Sequence, residues 1–94
     1  MNENTTSTST ALESLQQKLE FQRGQLVDFT REVDFWQLSL DELDAMPEGE
    51  DKQLMEGSMR QHFVDTLAHT KRERLKVQIW ISSIERQIQA LQQQ

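Results

Sequence analysis

The feature that most constrains this chain is an apolar repeat that covers most of its first half. From Leu12 to Leu43, apolar side chains recur in alternating steps of three and four residues, and Gln22 is the one polar residue in the series. Such spacing places one apolar stripe along a helix, and a second helix must cover it, because each Å² left in water forfeits roughly 25 cal/mol. The sequence therefore predicts coiled-coil-like packing of long helices. The series is Leu12, Leu15, Leu19, Gln22, Leu26, Phe29, Val33, Trp36, Leu40 and Leu43.

Length and composition limit the fold class and the compartment. The 94 residues form one small domain at most, and three glycines with one proline suit long two-faced helices better than a sheet with many turns. The chain has no cysteine, so a disulfide framework and a thiolate metal site are both excluded. The sequence has neither a secretory leader nor a run of about eighteen apolar residues, and we expect a cytoplasmic protein without a membrane span.

The first half of the chain is predicted to be a polar tail followed by one long helix. Residues 1–9 are small and polar, and we expect a disordered tail because they bury too little surface to offset the entropy of ordering. Thr10 and Glu13 fit a capping box, so helix 1 is predicted to span residues 10–46. Pro47 and Gly49 then mark a turn over residues 47–50.

The second half is predicted to be one helix over residues 51–92, within a single helical domain of residues 10–94. Gly57 and Ser58 mark a weak point, where Ser58 and Gln61 fit a second capping box. Residues 75–81 also alternate with a period of two and are rich in Val and Ile, which is typical of a strand. We predict helix there, because no second run of this kind offers a strand partner. The apolar stripe of this helix is Met55, Met59, Phe63, Leu67, Val77, Ile81, Ile84, Ile88 and Leu91, interrupted by Thr70 and Arg74.

The two stripes predict the architecture. Folding the chain about residue 49 places Trp36 opposite the region of His62 and Phe63, and Leu19 opposite the region of Ile79, so that the stripes cover each other. Apolar side chains remain outside both stripes, and helices that are apolar on more than one side are usually buried on more than one side. The predicted fold class is all-α, a long antiparallel two-helix hairpin that dimerises into a four-helix bundle. The predicted protein interface is Phe21, Phe35, Leu38, Leu75, Ile79 and Trp80.

Two clusters of polar residues are candidates for metal binding or catalysis. The acidic residues between Asp41 and Asp51 surround the turn, but they lack the ligand order of a calcium loop, which leaves a solvated turn or a docking site for a basic partner. His62 and His69 lie two helical turns apart with only Asp65 between them, which is too few ligands for zinc. We therefore predict no metal site, no cofactor and no catalytic residue, and expect that the protein is not an enzyme.

Two hypotheses for function remain. The first is a noncatalytic helical protein–protein interaction module, such as a small acidic chaperone or assembly adaptor, that binds a second copy as a homodimer or another helical protein. The second is a nucleic-acid-linked or transcription-linked regulator that uses the basic segment from Lys71 to Lys76. The net charge of −6 argues against general nucleic-acid binding, because that affinity rests on neutralising phosphates with Lys and Arg.

The predicted hairpin resembles two assembly-related families in shape, the prefoldin subunits and the small acidic chaperones of secretion systems. The residues nearest to a beta-type prefoldin subunit are Met55, Glu56 and Gly57, followed by Phe63 and Val64. The second glycine expected in that family is absent. The resemblance therefore covers most of the chain without a specific motif.

Overall fold

The structure, a computed structural model, describes residues 3–93, with side chains described from residue 8 onward. These residues form three helices, α1 (Glu3–Ala45), α2 (Glu50–Ser58) and α3 (Arg60–Gln92), and no strand. The long helices α1 and α3 pack against each other as a helical hairpin, which confirms the predicted all-α fold. Residues 75–81 are helical, as predicted in preference to a strand.

The first helix begins before the predicted start. Residues 3–9 belong to α1, although the sequence predicts disorder there, and Met1 and Asn2 lie outside the described residues. Thr10 is inside the helix and does not cap it. Elongating a helix adds one hydrogen bond for each residue fixed, so a polar segment extends a long helix at far lower cost than it would start a new one.

The turn lies where Pro47 and Gly49 predict it, between Ala45 and Glu50. Gly49 is the N-cap residue of α2, with φ 158° and ψ −171°, and its carbonyl oxygen accepts a hydrogen bond from the Gln53 amide at 3.1 Å. This backbone conformation is essentially restricted to glycine. The turn therefore requires glycine at this position.

The predicted weak point in the second half is confirmed, because α2 ends at Ser58 and α3 begins at Arg60. The second capping box is wrong. The Ser58 hydroxyl donates backwards to the Leu54 carbonyl oxygen at 2.8 Å, as serine often does inside a helix, so it caps nothing.

The chain forms two compact units, each made of parts of α1 and α3. Unit 1 comprises Met1–Val27 and Leu75–Gln94, and unit 2 comprises Asp28–Arg74. In unit 1, the buried apolar side chains are Leu19, Val77 and Ile84, and Gln22 is half-buried among its apolar neighbours. Leu15 and Lys18 line the same hollow as Gln87 and Leu91, so α1 around Leu19 faces a later part of α3 than the predicted region of Ile79.

Unit 2 contains a buried apolar cluster. Val33, Leu40 and Leu67 form a buried cluster, against which Trp36 and Phe63 pack. The predicted pairing of Trp36 with Phe63 is therefore correct. The fully buried side chain in this unit is Leu43, at 2% exposure, and Thr70 is a buried polar residue whose hydroxyl donates to the Thr66 carbonyl oxygen at 2.8 Å.

Candidate functional site

All six residues of the predicted interface are exposed to solvent. Their side chains are large and apolar, and each is more than half exposed. This exposure satisfies the first requirement of a contact surface. Sequence reasoning missed Leu54 on α2, which is 69% exposed, because the short helix was predicted as part of one long helix. The six are Phe21, Leu75, Ile79 and Trp80 in unit 1, and Phe35 and Leu38 in unit 2.

Two of the unit 1 residues share one side of the helix pair. A hollow of about 450 Å³ opens between the helices, lined by Ser14 and Lys18 of α1 and by Gln87 and Ala90 of α3, together with Ala11, Leu15 and Leu91. Phe21 follows Ser14 by seven residues and Trp80 precedes Gln87 by seven. Seven residues complete almost two helical turns, so Phe21 and Trp80 lie on the side of unit 1 where this hollow opens. We call this surface the Phe21/Trp80 side.

The other two residues of unit 1 lie on the outer surface of α3. Ile79 follows the buried Val77 by two residues, which is about 200° around the helix. Leu75 and Ile79 are one turn apart and line a shallow hollow of about 390 Å³ on α3 alone. The predicted interface residues of this unit therefore do not form a single face.

In unit 2, Phe35 takes part in a chain of aromatic contacts. Its ring meets Trp36 edge to face at 5.0 Å, and Trp36 in turn meets His62 at 5.5 Å and Phe63 at 5.8 Å between ring centroids. Leu38 follows Phe35 by three residues and is exposed without a place in this cluster. A third hollow, of about 270 Å³, is lined by Ser39, Glu42, Leu43, Met46, Met55 and Phe63.

The acidic turn is partly neutralised by the chain's own cations. Arg60 donates to the carboxylates of Asp44 and Glu56, and hydrogen bonding to these two groups raises the pKa of Arg60 above its ordinary value. Lys52 donates to the Glu48 carboxylate at 3.0 Å and to the Asp44 carbonyl oxygen at 3.4 Å, near the negative end of the α1 dipole. These contacts give part of the acidic cluster a structural role at the turn.

The two histidines are not arranged as a metal site. Both histidines are exposed and lie one heptad apart, and His62 also contacts the Trp36 ring. Within residues 3–93, no group of three or more His, Cys, Asp or Glu side chains is arranged to hold a metal ion.

The basic segment from Lys71 to Lys76 does not present one continuous basic face. In unit 2, Lys71 and Arg72 are exposed, while Arg74 is half-buried on the stripe that α3 turns towards α1. In unit 1, Lys76 is exposed and already takes part in an interaction.

Comparisons with protein-family models, curated proteins and solved structures each gave no match to this chain. The similarity in shape to prefoldin subunits and secretion chaperones therefore identifies no family. Of the helices in the described part of the chain, none combines the length and the apolarity that crossing a membrane requires.

Proposed function

We propose that this chain is a noncatalytic helical interaction module that binds helices of other protein molecules, a second copy included, through its exposed apolar side chains. The observation that carries the proposal is the exposure of six large apolar residues at helical spacing, all outside the stripes that join α1 to α3. Exposed apolar side chains of this size are typical of helix-in-groove contacts between proteins. Work as a small acidic chaperone or assembly adaptor in the cytoplasm is the form of this function that the composition favours.

The surface area of the chain supports the proposal. The chain exposes 7064 Å², whereas a compact monomeric protein of 11.1 kDa exposes about 5,700 Å². The excess of roughly 1,400 Å² is larger than the roughly 800 Å² that each partner contributes to a standard protein interface. The chain therefore has enough surplus surface to bury against a partner.

Replacing an exposed apolar residue tests this function. Trp80→Ala is expected to lower the association state or the affinity for a partner, while the helix content measured by circular dichroism stays near that of the wild type. Sedimentation velocity over a range of concentrations measures self-association. Capture from the native cell extract compares the wild type with a Phe35→Ala/Trp80→Ala double variant.

Gln78→Ala is the matched control, because Gln78 is an exposed polar residue on α3 in the same unit as Trp80. The proposal fails if Trp80→Ala leaves the sedimenting mass unchanged and the double variant captures the same proteins in the same amounts as the wild type.

Nucleic-acid binding through Lys71, Arg72, Arg74 and Lys76 remains the alternative proposal. It has less support, because Arg74 is half-buried and because the chain carries a net charge of −6. A mobility-shift assay at two salt concentrations tests it, since phosphate-mediated binding weakens as salt rises. If nucleic acid is not retained even at the lower salt concentration, this alternative is excluded.

A further inference from the structure

We propose that Met46 and Met55 form a site of reversible oxidation by hydroperoxides, and that their oxidation releases α2 from the rest of unit 2. Both methionines line the hollow of about 270 Å³ in this unit, together with Ser39, Glu42, Leu43 and Phe63. The inference goes beyond the proposed function, and its tests need no partner protein.

The short helix α2 depends on contacts with the rest of unit 2 for its stability. It has nine residues, fewer than the roughly 12–15 at which an isolated helix becomes even marginally stable in water. The structure describes α2 throughout, and none of its residues is buried. Only Lys52 and Met55 among them are half-buried, whereas Leu54 is 69% exposed. Met55 is therefore the apolar anchor of α2.

The polar contacts of α2 are expected to hold it only weakly. Lys52 donates to the Asp44 carbonyl oxygen at 3.4 Å, and Arg60 links the carboxylates of Glu56 and Asp44. Ion pairs between exposed side chains add little to stability, because water solvates the separated partners nearly as well. Loss of the Met55 contact should therefore release α2 even with these links in place.

The hollow is large enough to admit the oxidant. Its volume of about 270 Å³ far exceeds the roughly 10–15 Å³ that one water molecule needs, and hydrogen peroxide is little larger than water. In the reaction, a methionine sulfur forms a bond to one peroxide oxygen as the O–O bond breaks. The proton of the transferred hydroxyl passes to the departing oxygen, which leaves as water. The sulfur is oxidised to a sulfoxide by two electrons, and the peroxide is reduced by the same two.

The side chains that line the hollow cannot hydrogen-bond the resulting sulfoxide oxygen. The Ser39 hydroxyl already donates to the Phe35 carbonyl oxygen at 2.9 Å, and the Glu42 carboxylate only accepts. The other lining residues, all within the described part of the chain, are apolar. An acceptor without a donor is costly in apolar surroundings. An oxidised Met55 should therefore leave the hollow for water, and α2 then loses its apolar anchor.

Peroxide treatment of the full chain tests both parts of the inference. Peptide mass spectrometry should find sulfoxide at Met46 and Met55, and methionine sulfoxide reductases should remove it. Amide hydrogen exchange of residues 50–58 should accelerate by about tenfold or more after oxidation, and should return to its initial rate after reduction. Exchange of residues 77–92 in unit 1 should change by less than about twofold.

Variants assign the effect to these two side chains. The Met46→Leu/Met55→Leu variant preserves apolar volume and retains Met1 and Met59, so peroxide should change the exchange of residues 50–58 by less than about twofold. Met55→Gln introduces a polar side chain of similar length, and should accelerate this exchange by about tenfold without any oxidant. Leu54→Gln is the matched control, because Leu54 is the exposed neighbour of Met55 on α2. Its effect should be less than about twofold.

Three results of peroxide treatment would overturn this inference. The first is that Met46 and Met55 stay reduced under conditions that oxidise Met59, which is half-buried but does not line the hollow. The second is oxidation of both methionines without faster exchange of α2. The third is an equal response of the double leucine variant and the wild type. A Met55→Gln effect no larger than that of Leu54→Gln would also overturn it. None of these results concerns the six exposed interface residues, so the proposed function is tested separately.

Discussion

The indole of Trp36 on α1 meets the imidazole of His62 on α3 edge to face, with 5.5 Å between ring centroids and an interplanar angle of 89°. Phe63 contacts the same indole at 5.8 Å, so within unit 2 Trp36 joins α1 to α3 through two neighbouring residues of α3. His62 itself is exposed, which places this ring contact at the edge of the core. Aromatic pairs in this geometry contribute about 0.5–1.5 kcal/mol beyond the area that they bury.

A double-mutant cycle should detect this contact. We expect Trp36→Leu and His62→Ala to show a coupling of about 0.5–1.5 kcal/mol in the free energy of unfolding, measured by urea denaturation. His69→Ala is the control, because His69 is an exposed histidine one heptad later on the same helix, and its coupling to Trp36 should be near zero. Equal coupling of the two histidines to Trp36 would contradict the contact.

Leu43 and Leu38 should respond very differently to truncation. Leu43 is 2% exposed in unit 2, whereas Leu38 is 55% exposed five residues earlier on the same helix. Leu43→Ala is expected to lower the free energy of unfolding by about 2–5 kcal/mol, because it removes buried methyl groups and leaves a cavity. Leu38→Ala should change it by less than about 0.5 kcal/mol. Similar losses for both variants would show that Leu38 is buried in solution, as it would be in a dimer interface.

The series of ten residues from Leu12 to Leu43, spaced by three and four, predicted the packing face of α1 correctly. Every residue in the series is buried or half-buried, including Gln22. The reason is that spacings of three and four residues place side chains on one face of a helix wherever the partner lies. The face of α3 followed the same rule, with Thr70 and Arg74 occupying the two stripe positions that lack apolar residues.

The register between α1 and α3 and the ends of the helices were less predictable, because they depend on where each helix of the pair begins. Folding about residue 49 wrongly placed the region of Ile79 opposite Leu19, since that estimate ignored the separate helix α2 between the turn and α3. The capping boxes at Thr10 and Ser58 also failed, because α1 begins seven residues before Thr10 and because the Ser58 hydroxyl, at the end of α2, donates backwards to the Leu54 carbonyl oxygen.

The exposure of the six predicted interface residues was predictable one by one, but their grouping into surfaces was not. Each lies off its own stripe, which the sequence shows directly. Assigning Phe21 and Trp80 to one side, and Ile79 to another, requires the register between the two helices. The hollow beside them was missed, although small residues flanking the stripe, such as Ser14 and Ala90, could have indicated it.

Thr70→Val should stabilise the protein. Thr70 is 3% exposed, and its hydroxyl donates to the Thr66 carbonyl oxygen, the acceptor that a helix assigns to the backbone amide of residue 70. Valine has nearly the same shape and removes a buried hydroxyl without leaving that carbonyl unpaired. We expect a gain of up to about 1 kcal/mol in the free energy of unfolding, whereas Thr70→Ala should lower it by leaving a cavity. Destabilisation by valine would mean that the hydroxyl has another partner.

Two glycines should respond to alanine with opposite signs. Gly49 has φ 158° and ψ −171°, a conformation that strains an alanine, so Gly49→Ala is expected to cost about 1–3 kcal/mol in the free energy of unfolding. Gly24 lies inside α1, and a Cβ added there would meet no atom within 4 Å, so Gly24→Ala should add about 1 kcal/mol. Urea denaturation followed by circular dichroism measures both changes. A Gly49→Ala variant as stable as the wild type would show that the turn is not held in this conformation. If Gly24→Ala destabilised the chain, a neighbouring molecule would have to approach α1 closely at that position.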